Sequence, residues 1–193
     1  MHLLETYLRE LNEIHHSGAG VKETSYYPAL ANLLNELGKT LKPKVKCIIH
    51  LRSKGAGIPD GGLFTAEQLK GLNEDENPLA GQLPARAVLE VKPPKDDINK
   101  TIESAQVAKY LSKYGLVLVT NCRAFQLVKA GPGGKLVKLE AYHLAEKEKE
   151  FWALAAQAHN ATQQHGERLA DYLQRVMLAN APLTTAEATP STF

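Results

Sequence analysis

Three residues of this chain have the types and the spacing to do phosphoryl chemistry: Asp60, Glu90 and Lys92. Asp60 follows Ile58-Pro59 at the start of one apolar run, and Glu90-Val91-Lys92 ends another. If those runs are neighbouring strands, two carboxylates and an ammonium meet at one point. Carboxylate oxygens suit a hard divalent cation, Mg²⁺ foremost and Mn²⁺ as its substitute. Such an ion neutralises charge at a pentacovalent phosphorus and delivers a deprotonated water, the two needs of phosphodiester hydrolysis. In a strand, Glu90 and Lys92 project from one face while Val91 points the other way into the core. The backbone carbonyl of Val91 supplies a third candidate oxygen.

Each residue also has a purely structural explanation. Asp60 stands before Gly61-Gly62, a common turn chemistry, and Glu90 with Lys92 would make an ordinary exposed pair. Ala87-Val88-Leu89 and Val91 nevertheless mark a buried strand, and a charged pair at the end of a buried strand is costly without a purpose.

The elements that must position these groups are readable from periodicity. Leu4, Leu8, Leu11 and Ile14 recur at helical spacing over 2–16, and Ser17-Gly18-Ala19-Gly20 breaks that helix. Tyr26, Leu30, Leu33, Leu34 and Leu37 line a second helix, with Gly38 as its stop signal. Strands are expected at Val45–Leu51, Ile58–Phe64 and Ala85–Val91, the last ended by Pro93-Pro94. Residues 65–85 read as a long connection with one short helix at Ala66–Lys70. A helix over 97–113, strands at Leu116–Thr120 and Ala124–Val128, and a turn at Gly131-Pro132-Gly133-Gly134 follow. From His143 the chain reads as helical to about Leu178, broken at Ala161–Gly166. The order α-α-β-β-β-α-β-β-α packs most simply as a mixed sheet between helices, with the third and fourth strands joined by a right-handed parallel crossover.

Composition excludes several classes. The 193 residues carry a net charge of +2, with 44% hydrophobic and 23% charged content, as in an ordinary globular domain. Charge is unevenly placed. No acid lies between Glu36 and Asp60, while Lys39, Lys42, Lys44, Lys46, Arg52 and Lys54 all do. Such a stretch suits a polyanion or, alternatively, a strand edge protected from aggregation. Cys47 and Cys122 lack metal-ligand spacing and read as buried free thiols. No apolar run approaches the roughly 18 residues of a membrane span, and the N-terminus lacks a signal-peptide core, so a cytoplasmic protein is expected. Gly131–Gly134 is not followed by a Lys-Ser/Thr helix, His15-His16 read as surface residues, and nothing requires a role for His50.

The segments Gly57-Ile58-Pro59-Asp60-Gly61-Gly62-Leu63-Phe64 and Ala87-Val88-Leu89-Glu90-Val91-Lys92 resemble the signature of the PD-(D/E)xK nuclease superfamily. That resemblance spans roughly residues 20–130 and implies an α/β, three-layer restriction-endonuclease-like core. It makes Asp60, Glu90 and Lys92 catalytic, and assigns the metal to Asp60, Glu90 and Val91. Glu23 joins them because many members carry an early helical glutamate near the metal. Gln106-Val107-Ala108-Lys109-Tyr110 resembles the Q-x-x-x-Y element that supports the site or touches DNA in several branches. Lys44, Lys46, Arg52 and Lys54 are the expected DNA contacts. The interval from Asp60 to Glu90 is long for the family and implies an insertion.

Lys22-Glu23-Thr24-Ser25-Tyr26-Tyr27-Pro28, Gly57–Asp60 and Leu89–Pro93 together look similar to the N-terminal nuclease domains of restriction–modification polypeptides carrying an adenine methyltransferase downstream. By this resemblance 1–140 is the nuclease core, 141–180 a helical segment leading toward a further domain, and 181–193 a disordered tail. The chain itself contains no methyltransferase motif, so such a partner would lie in the same longer polypeptide or an adjacent one. The implied activity is a Mg²⁺-dependent DNA endonuclease of restriction or phage defence. A junction-resolvase-like repair or recombination nuclease and a non-catalytic DNA-binding module of the same fold are the alternatives. The intact Asp60, Glu90 and Lys92 speak against the last. A single candidate site per chain fits a monomer or weak homodimer that nicks before it linearises.

Overall fold

Short strands whose side chains alternate between two covered faces give one mixed sheet with a different hydrophobic cluster on each face. The computed structural model describes residues 2–18, 22–49, 51, 57–73, 76–79 and 82–181. Its strands are β1 (Val45–Ile49), β2 (Gly61–Thr65), β3 (Val88–Val91), β4 (Leu116–Thr120), β5 (Ala124–Ala130) and β6 (Leu136–His143), paired in sequence order. β3 and β4 run parallel and all other neighbours are antiparallel. The helices are α1 (Leu3–His16), α2 (Tyr27–Gly38), α3 (Ile98–Ile102), α4 (Ala105–Tyr114), α5 (Glu148–Ala156) and α6 (Ala158–Leu178). Leu89, Val91, Leu116 and Leu118 pack with α1, α2, α5 and α6. Val88, Val117 and Val119 pack with α3 and α4 on the opposite face. This three-layer α/β arrangement is the one that the sequence resemblance implies.

Several expected boundaries move, each for a local reason. The helix expected over 97–113 is two helices. Ser104 accepts a hydrogen bond from the Val107 amide and caps α4, Asp97 does the same for α3 through Asn99, and Gly115 at φ 76° closes α4. The break expected at Ala161–Gly166 lies instead at Gln157, between α5 and α6. Gly166 sits inside α6 because the His2 ring packs against it. β6 is a sixth strand that the polar, largely exposed run Leu136–His143 did not announce. It crosses residue 140, where the expected core ended, and Phe151, Leu169, Tyr172 and Leu173 beyond it belong to the main hydrophobic cluster. The short helix expected at Ala66–Lys70 is a 3-10 turn, Glu67–Leu69.

Edge strand β1 is covered by a side chain rather than a strand. Asn35 of α2 accepts from the Cys47 amide at 2.9 Å and donates to the Cys47 carbonyl at 3.1 Å, copying a ladder pair. Cys47 and Cys122 are both free and buried, and burial pushes each thiol up to about 12. Among the described residues no helix is long and apolar enough to cross a membrane.

Gly38 does not stop α2 by a left-handed cap; Lys39 continues in right-handed geometry after it. The glycine is needed because a Cβ there would lie 2.0 Å from the Val45 carbonyl oxygen. Gly38→Ala should therefore destabilise the protein by roughly 1–3 kcal/mol through overpacking. Helix propensity alone predicts a gain of about 1 kcal/mol. Urea denaturation of the two proteins decides the sign.

Candidate active site

β2 begins one residue after Asp60, so this side chain is free to act as a strand would. The Asp60 carboxylate accepts the Val91 amide at 2.7 Å, while the Asp60 amide donates to the Leu89 carbonyl at 3.0 Å. The aspartate thus supplies the acceptor for the Val91 amide just beyond the Gly61–Leu89 pair. Gly61 and Gly62 are not turn residues. They lie in β2, where Cβ atoms would meet the Ile48 carbonyl at 2.9 Å and the Phe64 ring at 2.9 Å.

Glu90 is in β3 with only 1% of its side chain exposed, and Lys92 follows the strand. The Lys92 ammonium lies 2.9 Å from Glu90 Oε1, 3.3 Å from Glu23 Oε2 and 3.3 Å from the Val91 carbonyl. Glu23 comes from the 3-10 turn Glu23–Tyr26 that leads into α2. Gln106 of α4 donates from Nε2 to Glu90 Oε2 at 3.2 Å and to the Tyr110 hydroxyl at 2.6 Å. Tyr110 in turn donates to the Ile58 carbonyl at 2.6 Å, so the same chain of hydrogen bonds ties the residues before Asp60 to α4. All three layers of the fold therefore converge on the end of β3.

Among the described residues, three carboxyl groups surround one cation. Burial pushes Glu90 up to about 7, and the carboxylates of Asp60 and Glu23 add to the rise against the opposing Lys92. Burial opposes the charge on Lys92, but its carboxylate neighbours, Glu90 first, raise it to about 12. The ammonium is thus fixed in its charged form. Burial likewise raises Tyr110 to about 12. Among the described residues no group of three or more His, Cys, Asp or Glu is arranged to hold a metal ion. The Lys92 ammonium touches instead a set of hard oxygens, from Glu90, Glu23 and Val91, of the type that a Mg²⁺-class cation takes.

The exit from β3 is held by the β4–β5 turn. The buried Arg123 guanidinium donates to the carbonyls of Pro94, Asp96, Ala145 and Glu146, and Asn121 donates to Asp96 as well. The Lys92 amide donates to Thr120 at 2.8 Å. These bonds fix the backbone on both sides of Lys92.

The expected DNA contacts are placed differently. Lys44 and Lys46 are exposed, but Ile49 is the β1 residue paired with Gly61 beside the site. At about 3.3 Å per residue, Lys46 lies ~10 Å and Lys44 ~17 Å back along the strand. Arg52, Lys54 and His50 lie outside the described residues. His15 is exposed and stacks on Trp152 at 3.8 Å between ring centroids. Tyr27 was not singled out from the sequence. Its hydroxyl donates to Glu23 Oε1 at 3.0 Å and also interacts with Asp60. The signal was present as Glu23-x-x-x-Tyr27, the same four-residue step as Gln106 to Tyr110.

No family model and no curated protein matches the sequence. Among solved structures, a chain of the cryoEM structure of a DrdV–DNA complex is similar, with a TM-score of 0.52 and 16% identity. The match covers 79% of this chain and 94% of that one, and at this identity it shows a shared fold.

Because the Glu90 pKa is higher folded than unfolded, its contribution is present at low pH and is lost as pH rises through about 7. In EDTA, wild-type stability should fall between about pH 4.5 and 7 by on the order of 3 kcal/mol more than that of Glu90→Gln. Denaturant titrations at intervals of pH measure the difference, and parallel curves for the two proteins would refute the burial of an ionisable Glu90.

Proposed function

We propose that this chain is a divalent-metal-dependent nuclease of PD-(D/E)xK type that hydrolyses phosphodiester bonds in DNA. The observation that carries the reading is the convergence of Asp60, Glu90, Lys92 and Glu23 at one end of the sheet. Among the described residues, three carboxyl groups there face one ammonium, an excess of negative charge that a divalent cation balances. Support for DNA as the polymer comes from the sequence resemblance and from the DNA-bound state of the structural neighbour.

Asp60, Glu90 and the Val91 carbonyl are the proposed holders of Mg²⁺ or Mn²⁺, with Glu23 beside them. When bound, such an ion neutralises phosphate charge and lowers the pKa of its water. Lys92 is no base at neutral pH, because its ammonium stays charged up to about 12. Its part is electrostatic. It holds the attacking water by donating a hydrogen bond, or it neutralises a non-bridging phosphate oxygen. Gln106 and Tyr110 keep Glu90 and the Ile58–Asp60 backbone in register. Within this class a restriction or defence role rests on the sequence resemblance, as does the methyltransferase partner that such a role implies. The presence of every proposed catalytic side chain disfavours a binding module without activity.

Plasmid nicking or cleavage should require Mg²⁺ or Mn²⁺, and Ca²⁺ should bind without turnover. Asp60→Ala, Glu90→Ala and Lys92→Ala should each lose cleavage while keeping a folded circular-dichroism spectrum. Metal-stimulated cleavage surviving in Asp60→Ala or Glu90→Ala would overturn the assignment.

If Lys44 and Lys46 lie on the DNA path, their joint change to Gln should flatten the dependence of log affinity on log salt. The expected change in slope is about 0.9 per lysine on duplex DNA. Fluorescence anisotropy at graded salt reads it. An unchanged slope removes the β1 edge from the interface.

A further inference from the structure

We propose that Tyr27 is the positioning residue of the acidic cluster: its single hydroxyl, fixed at the buried start of α2, sets Glu23 relative to Asp60. This inference rests on the metal-dependent reading given above.

The ring has little freedom. Tyr27 is the first residue of α2 and is 4% exposed, Pro28 follows it, and Leu30, Leu33 and Leu34 anchor the helix in the main core. What remains to the side chain is where its hydroxyl proton points. The hydroxyl donates to Glu23 Oε1 at 3.0 Å and meets Asp60 as well. The other contacts of both acids lead to β3 and the residue after it. Glu23 Oε2 faces Lys92 at 3.3 Å, and Asp60 Oδ2 takes the Val91 amide at 2.7 Å. Tyr27 therefore closes a ring of contacts running Tyr27–Glu23–Lys92–Val91–Asp60 and back to the phenol.

A phenol has one proton to donate and two carboxylates press on it. The hydroxyl enters this arrangement as a donor to Glu23, with the Asp60 carboxylate against it as well. It can serve both acids only while they stay close together, and so it keeps two like charges near one point despite their repulsion. Tyr110 plays the matching part for Glu90 from the opposite helical layer, through Gln106. The two tyrosines approach the acids from the two sides of the sheet. Each sits four residues after the polar group that it orients.

A tyrosine that only fills the core would tolerate loss of its hydroxyl, and that is the distinguishing test. Tyr27→Phe keeps the ring. Mn²⁺ binding to EDTA-stripped protein, measured by calorimetry, should weaken by about 10–100-fold, the range for loss of a group that orients metal ligands. Half-saturating Mg²⁺ for plasmid cleavage should rise by a similar factor, while the rate at saturating Mg²⁺ stays within about threefold of wild type. Tyr26→Phe, which removes the hydroxyl of the adjacent tyrosine, should leave Mn²⁺ affinity unchanged. In a Glu23→Gln background, Tyr27→Phe should cost markedly less Mn²⁺ affinity than it does alone, because the oriented carboxylate is already gone. Mn²⁺ affinity of Tyr27→Phe equal to wild type would overturn the proposal and leave the metal site standing. Wild-type protein that binds no Mn²⁺ would overturn both. Wild-type protein that binds Mn²⁺ without cutting DNA would overturn the nuclease reading alone, and the affinity ratio would still decide the role of Tyr27.

Discussion

Like charges gathered at the end of a buried strand set the terms for the rest of this structure. Among the described residues, Glu23, Asp60 and Glu90 face one ammonium, Lys92, and Glu90 does so almost wholly out of water. Burying a carboxylate is costly unless it is paired and hydrogen-bonded. Burial, and then the like charges of Asp60 and Glu23, push Glu90 up to about 7 although a cation lies 2.9 Å away. A fold that needed only stability would place an apolar side chain at this position, as it does at Val88, Leu89 and Val91.

Holding such a cluster together requires supports from every side, and the architecture supplies them. The parallel β3–β4 pair fixes the strand that carries Glu90, and the Lys92 amide continues that pairing one residue further. Arg123 and Asn121, on the β4–β5 turn, hold the carbonyls beyond Pro93. That turn is itself fixed from the opposite layer. Tyr7 of α1 donates to the Cys122 carbonyl at 2.8 Å, where the backbone takes φ 67°. On the other face, Gln106 and Tyr110 reach the site from α4, whose start is set by the Ser104 cap. The long connection between β2 and β3 is ordered at its base by Gln68, which accepts from the Thr65 and Ala85 amides. The insertion therefore leaves the pairing of Gly61 with Leu89 intact, and with it the place of Asp60 beside Val91.

Where sequence and structure part, the cause is a contact distant in the chain. Gly38 reads as a helix stop in any local window, yet its role comes from the Val45 carbonyl of the neighbouring strand. β6 has the exposed, mixed composition of a connecting segment, and only its pairing with β5 makes it a strand. Gly166 looks like a helix breaker, but within α6 it makes room for the His2 ring. Ser104, by contrast, carried a visible capping signal inside a run with helical spacing on both sides. The period there was legible and the interruption was outweighed by it.

The sequence by itself determined which residues could do chemistry. Asp60, Glu90 and Lys92 are set by type and spacing, the two-residue step of a strand puts Glu90 and Lys92 on one side, and the four-residue step of a helix aligns Gln106 with Tyr110. It also determined most strands and helices, because their periodicity is local. Only the tertiary structure decided that Asp60 spends one oxygen on the Val91 amide, that Lys92 lies between Glu90 and Glu23, and that Tyr27 joins Glu23 to Asp60. It decided as well that Lys46 of β1, and Lys44 just before that strand, lie back from its Ile49 end. The physical reason is the same in each case. Periodicity fixes the face on which a side chain emerges, whereas a hydrogen bond between residues 31 or 69 positions apart depends on strand register and on which layer a helix occupies. Those are settled by the packing of the whole chain.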